Sequence, residues 1–167
     1  MIKFAEVKLT SDIQKLAVLA DQIWHEAFSG ILTVEQINYM LEKFQSVEAL
    51  KNVSEKKGYE YFFICDGDEF VGYTGLQETD GKLFLSKLYI SKQSRGKKIA
   101  SWAFDFIEEF ARKRNLKSVW LTVNRFNAHA IDVYNAKGFN IIREQKTDIG
   151  NGFVMDDYVF EKEIIDS

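Results

Sequence analysis

Leu88–Phe104 reads LYISKQSRGKKIASWAF, and its interpretation decides the fold. An alternating apolar segment ends at Ile90, and Ile99, Ala103, Phe106 and Phe110 then recur at helical spacing. Lys92, Arg95, Lys97 and Lys98 crowd the junction between the two. Cations at that point are unfavourable by themselves, because the first turn of a helix carries roughly half a positive charge on its free N–H groups. A strand running straight into a helix through a glycine, here Gly96, presents those N–H groups to a phosphate. With a multiply charged anion bound, the same cations face the ligand and the repulsion becomes attraction. On charge pattern alone, a solvated charged face is the alternative.

Spacing excludes the commonest phosphate loops. A nucleotide P-loop needs G-x-x-x-x-G-K-[ST] and a dinucleotide fold needs G-x-G-x-x-G after an early strand; the chain has neither. Composition narrows the partners further. The 167 residues are 46% hydrophobic and 14% aromatic, enough for a substantial core, and a single domain over 1–167 is expected. A net charge of −3 argues against general affinity for nucleic acid or anionic membranes, so anion binding has to be local. The N-terminus has no apolar signal core, and no run reaches the ~18 apolar residues of a membrane span. The one cysteine, Cys65, sits in the apolar run YEYFFIC and is expected to pack in the core; it suits a reducing, cytoplasmic setting. Two distant histidines and one cysteine make no metal-ligand set.

Outward from the cationic stretch, periodicity and caps order the rest of the chain. IKFAEV alternates like a strand, and a helix is expected from Asp12 to about Ser29-Gly30 through Ile13, Leu16, Leu19, Ala20, Ile23 and Trp24. Thr33 with Gln36 fits a capping box for a second helix, and Ser46 can cap a third that Gly58 stops. Asp66-Gly67-Asp68 and Asp80-Gly81 separate three strands of an antiparallel meander, YEYFFIC, EFVGYTGLQ and KLFLSKLYI. After the long helix come SVWLTV as a buried strand, NAHAIDVYNAK as a helix closed by Gly138, and two final strands, FNIIREQK and FVMDDYVFEKE. The expected order is β, helices, βββ, α, β, α, ββ. No proline, repeat or Gly/Ser-rich linker divides it.

LYISKQSRGKKIA resembles motif A of the GNAT superfamily of acyl-CoA-dependent N-acyltransferases, a pyrophosphate loop of pattern Q/R-x-x-G-x-G/A. Gln93, Arg95 and Gly96 match, while Lys98 stands where the pattern has a small residue. NRFNAHAIDVYNAKGF resembles the second signature of the superfamily through Asn127, Tyr134, Gly138 and Phe139. The element order is also similar to that of the family across nearly the whole chain. The implied fold is α/β (α+β), a mixed, mainly antiparallel central sheet flanked by helices. IWHEAFSGILTVEQINYML followed by YFFI looks most like bacterial polyamine (spermine/spermidine) acetyltransferases, on the acceptor side of the family's site.

The resemblance implies acetyl-CoA as co-substrate. Backbone groups of Leu88, Tyr89 and Ile90 would pair with its pantetheine arm like an added strand, and an N–H near Leu88 would polarise the thioester carbonyl. Arg95, Gly96, Lys97, Lys98, Ile99 and Ala100 would supply amides to the pyrophosphate, with Lys98 pointing outward and Lys92, Arg95 or Lys97 reaching other phosphates. Asn127 would both cap its helix and touch the cofactor. Tyr134 is the expected catalytic residue, a phenol that protonates the departing thiolate.

The base that deprotonates the acceptor is not evident. Some relatives carry a glutamate where this chain has Ser86, and Glu26, His25 and Asp156 qualify only by region. His129 reads as a surface residue. No nucleophilic triad is present, so direct attack by a primary amine in a ternary complex is the expected reaction, on a polyamine or other small amine. A protein N-terminal or lysine acetyltransferase and a non-catalytic acyl-CoA sensor are the alternatives, and a homodimer stays open.

Overall fold

The structure, a computed structural model, describes residues 1–164. Seven strands and five helices follow the expected order: β1 (Ile2–Glu6), α1 (Thr10–Phe28), α2 (Val34–Phe44), α3 (Val47–Lys56), β2 (Tyr59–Asp66), β3 (Glu69–Thr79), β4 (Lys82–Ile90), α4 (Ile99–Lys113), β5 (Ser118–Asn124), α5 (Ala128–Ala136), β6 (Asn140–Gly150) and β7 (Phe153–Glu163). Among these residues, no helix is long and apolar enough to cross a membrane.

The caps form as their side chains dictate. Thr33 Oγ1 accepts the amide of Gln36 at 3.1 Å and Ser46 Oγ that of Ala49 at 3.2 Å, each satisfying a helix-end donor at a typical gain of about 1 kcal/mol. The first helix starts at Thr10, two residues earlier than its pattern implies. Asp12 lies inside the first turn, where its carboxylate accepts the amides of Lys8 and Leu9; those bonds lower its pKa.

Contacts divide the chain into two compact units. The first comprises Met1–Gln77 and Lys87–Ala103. In it β1 and β2 run antiparallel, as do β2 and β3, with an irregularity at Ile64/Cys65. Ile64, Val71, Ile99 and Ala103 form a buried cluster against which Ile2, Phe4, Leu88 and Ile90 pack. Trp24, Phe28, Tyr73 and Tyr89 make a separate aromatic group, with ring centroids 5.0–6.0 Å apart in the contacting pairs. Trp24 Nε1 donates to the Tyr73 hydroxyl at 2.8 Å, and that hydroxyl donates to Gln45 Oε1 at 3.3 Å. Cys65 is buried and unpaired, as its apolar setting implies.

The second unit comprises Glu78–Ser86 and Phe104–Ser167. The start of β4 pairs in parallel with β5, Leu83 opposite Val119 and Phe84 opposite Trp120, while β5–β7 and β7–β6 are antiparallel. One parallel pair beside antiparallel neighbours gives the mixed, mainly antiparallel arrangement expected. Phe104, Ile107 and Ala111 of α4 are buried, whereas Phe106 and Phe110 are only half-buried. The inward face of α4 is thus an i, i+4 stripe through Ile99, Ala103, Ile107 and Ala111. The expected Phe106 and Phe110 lie on its flank, with ring centroids 6.3 Å apart.

Candidate functional site

The cationic stretch differs from its expected form in one respect. Between β4 and α4 the chain makes a 3₁₀ turn at Lys92–Ser94, so the strand does not run straight into the helix. Lys92, Arg95, Lys97 and Lys98 all precede the first helical residue, Ile99. The turn is held from both sides: Ser91 donates its amide to Val71 O at 2.8 Å, and the amide of Lys92 donates to Glu26 Oε2 at 2.9 Å.

Gly96 and Lys98 both have left-handed backbone, with φ of +83° and +62°. That explains the preference of the GNAT pattern for a small residue at the last position. Glycine adopts positive φ freely, while a side chain there costs roughly 1–2 kcal/mol. Lys98 accepts the strain, and its side chain is exposed as expected.

Alternating the backbone hand turns successive N–H groups to one side and forms an anion-binding nest. The amides of Gly96, Lys97, Lys98, Ile99 and Ala100 have no acceptor among the described residues. The first α4 bond, Trp102 N–H to Lys98 O at 3.3 Å, begins beyond them. Nothing lies within 4 Å of where a Gly96 side chain would begin. Such a group of donors suits an anion, and the side chains of Lys92 and Lys97 are exposed. Arg95 is less available than expected, because its Nε donates back to Ile90 O at 3.3 Å.

Along β4, Leu88 and Ile90 pack toward Ile99 and Ala103, while Tyr89 packs against Trp24, Phe28 and Tyr73. The strand is therefore anchored through its side chains on both faces.

Asn127 and Tyr134 belong to the second unit. Asn127 caps α5, its Oδ1 accepting the amide of Ala130 at 3.3 Å. Tyr134 is half-buried, its ring 5.7 Å from that of Phe104, 6.0 Å from Phe139 and 5.8 Å from Phe160. Burial pushes its phenol up to about 12, so the group is a proton holder at any physiological pH.

The three base candidates named by region are each engaged. Glu26 holds the Lys92 amide, His25 Nε2 lies 3.3 Å from Asp21 Oδ1, and Asp156 Oδ1 accepts from Arg125 Nε at 3.0 Å. His129 is exposed on α5, as read.

Sequence reasoning missed three groups. Lys87, on β4, has its pKa lowered to about 8 by burial; its ammonium lies 5.0 Å from the Tyr59 ring and 5.5 Å from the Tyr61 ring. Tyr61 is 2% exposed, and its hydroxyl has no hydrogen-bond partner among the described residues. Asp157, on β7, is 3% exposed, and burial with the neighbouring Asp156 raises its carboxyl to about 6. The available signal was phase: Lys87 alternates with Leu83, Leu85 and Tyr89, and Asp157 with Val159, so each polar residue takes an inward position of its strand.

Comparison with known proteins agrees with this geometry. A paia N-acetyltransferase from Thermoplasma acidophilum, solved in complex with coenzyme A, superposes with a TM-score of 0.80 at 21% identity, over 98% of this chain and 99% of that one. The ribosomal-protein-S18-alanine N-acetyltransferase of Escherichia coli superposes with a TM-score of 0.73 at 14% identity, over 100% of this chain and 96% of that one. An uncharacterized N-acetyltransferase in the pepI 3′ region of Lactobacillus delbrueckii subsp. lactis is 21% identical over 90% of this chain and 91% of its own length. Residues 21–139 match the Acetyltransferase (GNAT) family, a span that contains the Gly96–Ala100 nest, Asn127 and Tyr134. With its fold, its nest of amides and that match in agreement, this chain belongs to the GNAT family of acetyltransferases, enzymes that use acetyl-CoA.

Proposed function

We propose that this chain transfers the acetyl group of acetyl-CoA to a small primary amine by direct attack in a ternary complex. The observation that carries the reading is the run of five amides, Gly96 to Ala100, without acceptors among the described residues, with clear space around the Cβ position of Gly96. These amides, with Lys92 and Lys97, hold the pyrophosphate, and the backbone of Leu88, Tyr89 and Ile90 pairs with the pantetheine arm. Acetyl-CoA supplies the activated acetyl group. Tyr134 keeps its proton and donates a hydrogen bond to the departing sulfur. Its phenol near 12 lies well above an ordinary thiol near 8.5, so it stabilises the thiolate more than it transfers a proton outright. Cys65 supports direct attack: burial raises its thiol, which disfavours the thiolate that a covalent acyl carrier needs. A cytoplasmic setting fits the same buried thiol.

A polyamine acceptor is the finer form of this reading, and it rests on the resemblance of IWHEAFSGILTVEQINYML and YFFI to polyamine acetyltransferases. Four carboxylates could attract a polycation, Glu26, Glu35, Glu42 and Asp156. Two of them hold other groups, leaving Glu35 and Glu42 exposed. A peptide N-terminus or lysine is the alternative acceptor.

The test is thiol release from acetyl-CoA across polyamines, monoamines, amino acids and peptides, together with a thermal shift. Acetyl-CoA should stabilise the protein, by about 2.7 kcal/mol at a hundred times its Kd. Gly96→Val should remove most of that shift without unfolding the free protein. A full shift in the variant overturns the nest assignment. Release with peptides alone overturns the small-amine acceptor, and faster release with spermidine than with a monoamine of equal length supports the polyamine.

A further inference from the structure

On β4, alternate side chains leave opposite faces of the strand, so Lys87 emerges on the face of Tyr89 and away from that of Leu88 and Ile90. Tyr89 meets Trp24 and Phe28 of α1 there, and the Tyr61 ring lies across Gly75 of β3. A Cβ at position 75 would come within 2.7 Å of Tyr61 Cε1, so only glycine leaves room for the ring. Trp24, Phe28 and Tyr61 all belong to the segments whose resemblance placed them on the acceptor side. Lys87 also directly precedes the three residues assigned to the pantetheine arm, and its carbonyl is held by Thr74 Oγ1 at 2.7 Å.

Beside the two rings stand a cation and a buried hydroxyl. The Lys87 ammonium lies over Tyr59 and Tyr61, and the Tyr61 hydroxyl has no partner among the described residues. A buried hydroxyl without a partner is uncommon in a folded protein and is a reason to look for a missing ligand atom. Both groups are donors near neutral pH: a lysine near 8 is still mostly an ammonium, and burial drives the Tyr61 phenol further up. An orphaned hydroxyl beside a cation calls for an acceptor atom that carries negative charge, and the cation opposes a polycation.

We propose that the acceptor amine carries a carboxylate, received by Lys87 Nζ and the Tyr61 hydroxyl, and that these two residues set acceptor specificity. The proposal rests on the acetyltransferase reading. It makes the acceptor an amino acid or a similar amino-carboxylate.

Matched acceptors test it. Thiol release from acetyl-CoA is measured with 4-aminobutyrate, glycine and glutamate, against butylamine, ethylamine and spermidine. The expected result is at least a tenfold higher kcat/KM for one of the carboxylates than for every amine lacking one. Lys87→Met and Tyr61→Phe should shrink that ratio through KM, with kcat at saturation largely kept, and Lys87→Arg should restore part of it. Equal rates, a preference for spermidine, or an undiminished ratio in Lys87→Met overturns the proposal. A binding arm separates its failure from that of the acetyltransferase reading. Titration of the coenzyme A complex with N-acetyl-4-aminobutyrate should show affinity at least tenfold above that for N-butylacetamide, lost in Lys87→Met. Equal affinities overturn the carboxylate site whatever the turnover, and absence of thiol release with every acceptor, alongside selective binding of N-acetyl-4-aminobutyrate, overturns the acetyltransferase reading alone.

Discussion

Glu26 on α1 accepts the backbone amide of Lys92 at 2.9 Å, tying a helix of the acceptor-side segment to the first residue of the 3₁₀ turn that leads to Gly96. The two residues are 66 positions apart. A carboxylate that accepts a backbone N–H beside the candidate nest is expected to position that turn, where its region suggested a base.

Two substitutions separate these roles. Glu26→Gln keeps an oxygen that can accept the Lys92 amide, so its kcat should stay within about fivefold of the parent, whereas loss of a general base costs about 10²-fold or more. Glu26→Ala should raise KM for acetyl-CoA severalfold through a loosened turn. Steady-state kinetics on both decides the matter, and a collapse of kcat in Glu26→Gln would return Glu26 to the role of base.

Lys98 stores local strain at a φ of +62°. Replacement by glycine relieves about 1–2 kcal/mol of it and loses about 0.4–1 kcal/mol to the freer unfolded chain. Lys98→Gly should therefore be stabilised by up to about 1.6 kcal/mol in a denaturant melt, and it should keep the acetyl-CoA thermal shift because its contribution is an amide. Loss of that shift would show that the side chain of Lys98 holds the ligand.

Tyr134→Phe removes one hydroxyl from a ring that Phe104, Phe139 and Phe160 surround. Turnover should fall by about 10²-fold, with acetyl-CoA affinity little changed. With its phenol near 12, Tyr134 should add no limb to the pH–rate profile between pH 5 and 10. Parental turnover in the variant would leave Tyr134 a packing residue.

Asp157 gives a pH signature to stability. Its carboxyl is raised from 3.8 to about 6 in the folded state, so between those values the folded protein binds more protons than the unfolded one. Stability from this group therefore falls as pH rises through that window, and the cost is complete above about pH 6. A displacement of this size corresponds to about 2–3 kcal/mol. Asp157→Asn should raise Tm at pH 7.5 and lose its advantage near pH 4; a constant difference across that range would assign the effect to packing instead.

Most of the architecture was readable because it is local. Helix and strand periods, the Thr33, Ser46 and Asn127 caps and the turn glycines act within a few residues, and they gave the element order that the structure shows. The candidate cofactor loop was readable for the same reason: its amides come from consecutive residues, and a positive φ favours glycine at position 96. The 3₁₀ turn escaped because it depends on Glu26, far away in sequence.

Ionisation and burial were decided by the tertiary structure alone. Lys87 and Asp157 look like ordinary charged residues, and only packing against distant strands removes the water that would solvate them. The Tyr61 hydroxyl is orphaned by the same burial. By itself, then, the sequence determined the elements, their order and the candidate phosphate loop. Which polar groups stand desolvated beside the chemistry depended on the assembled fold, because desolvation comes from neighbours that no local pattern encodes.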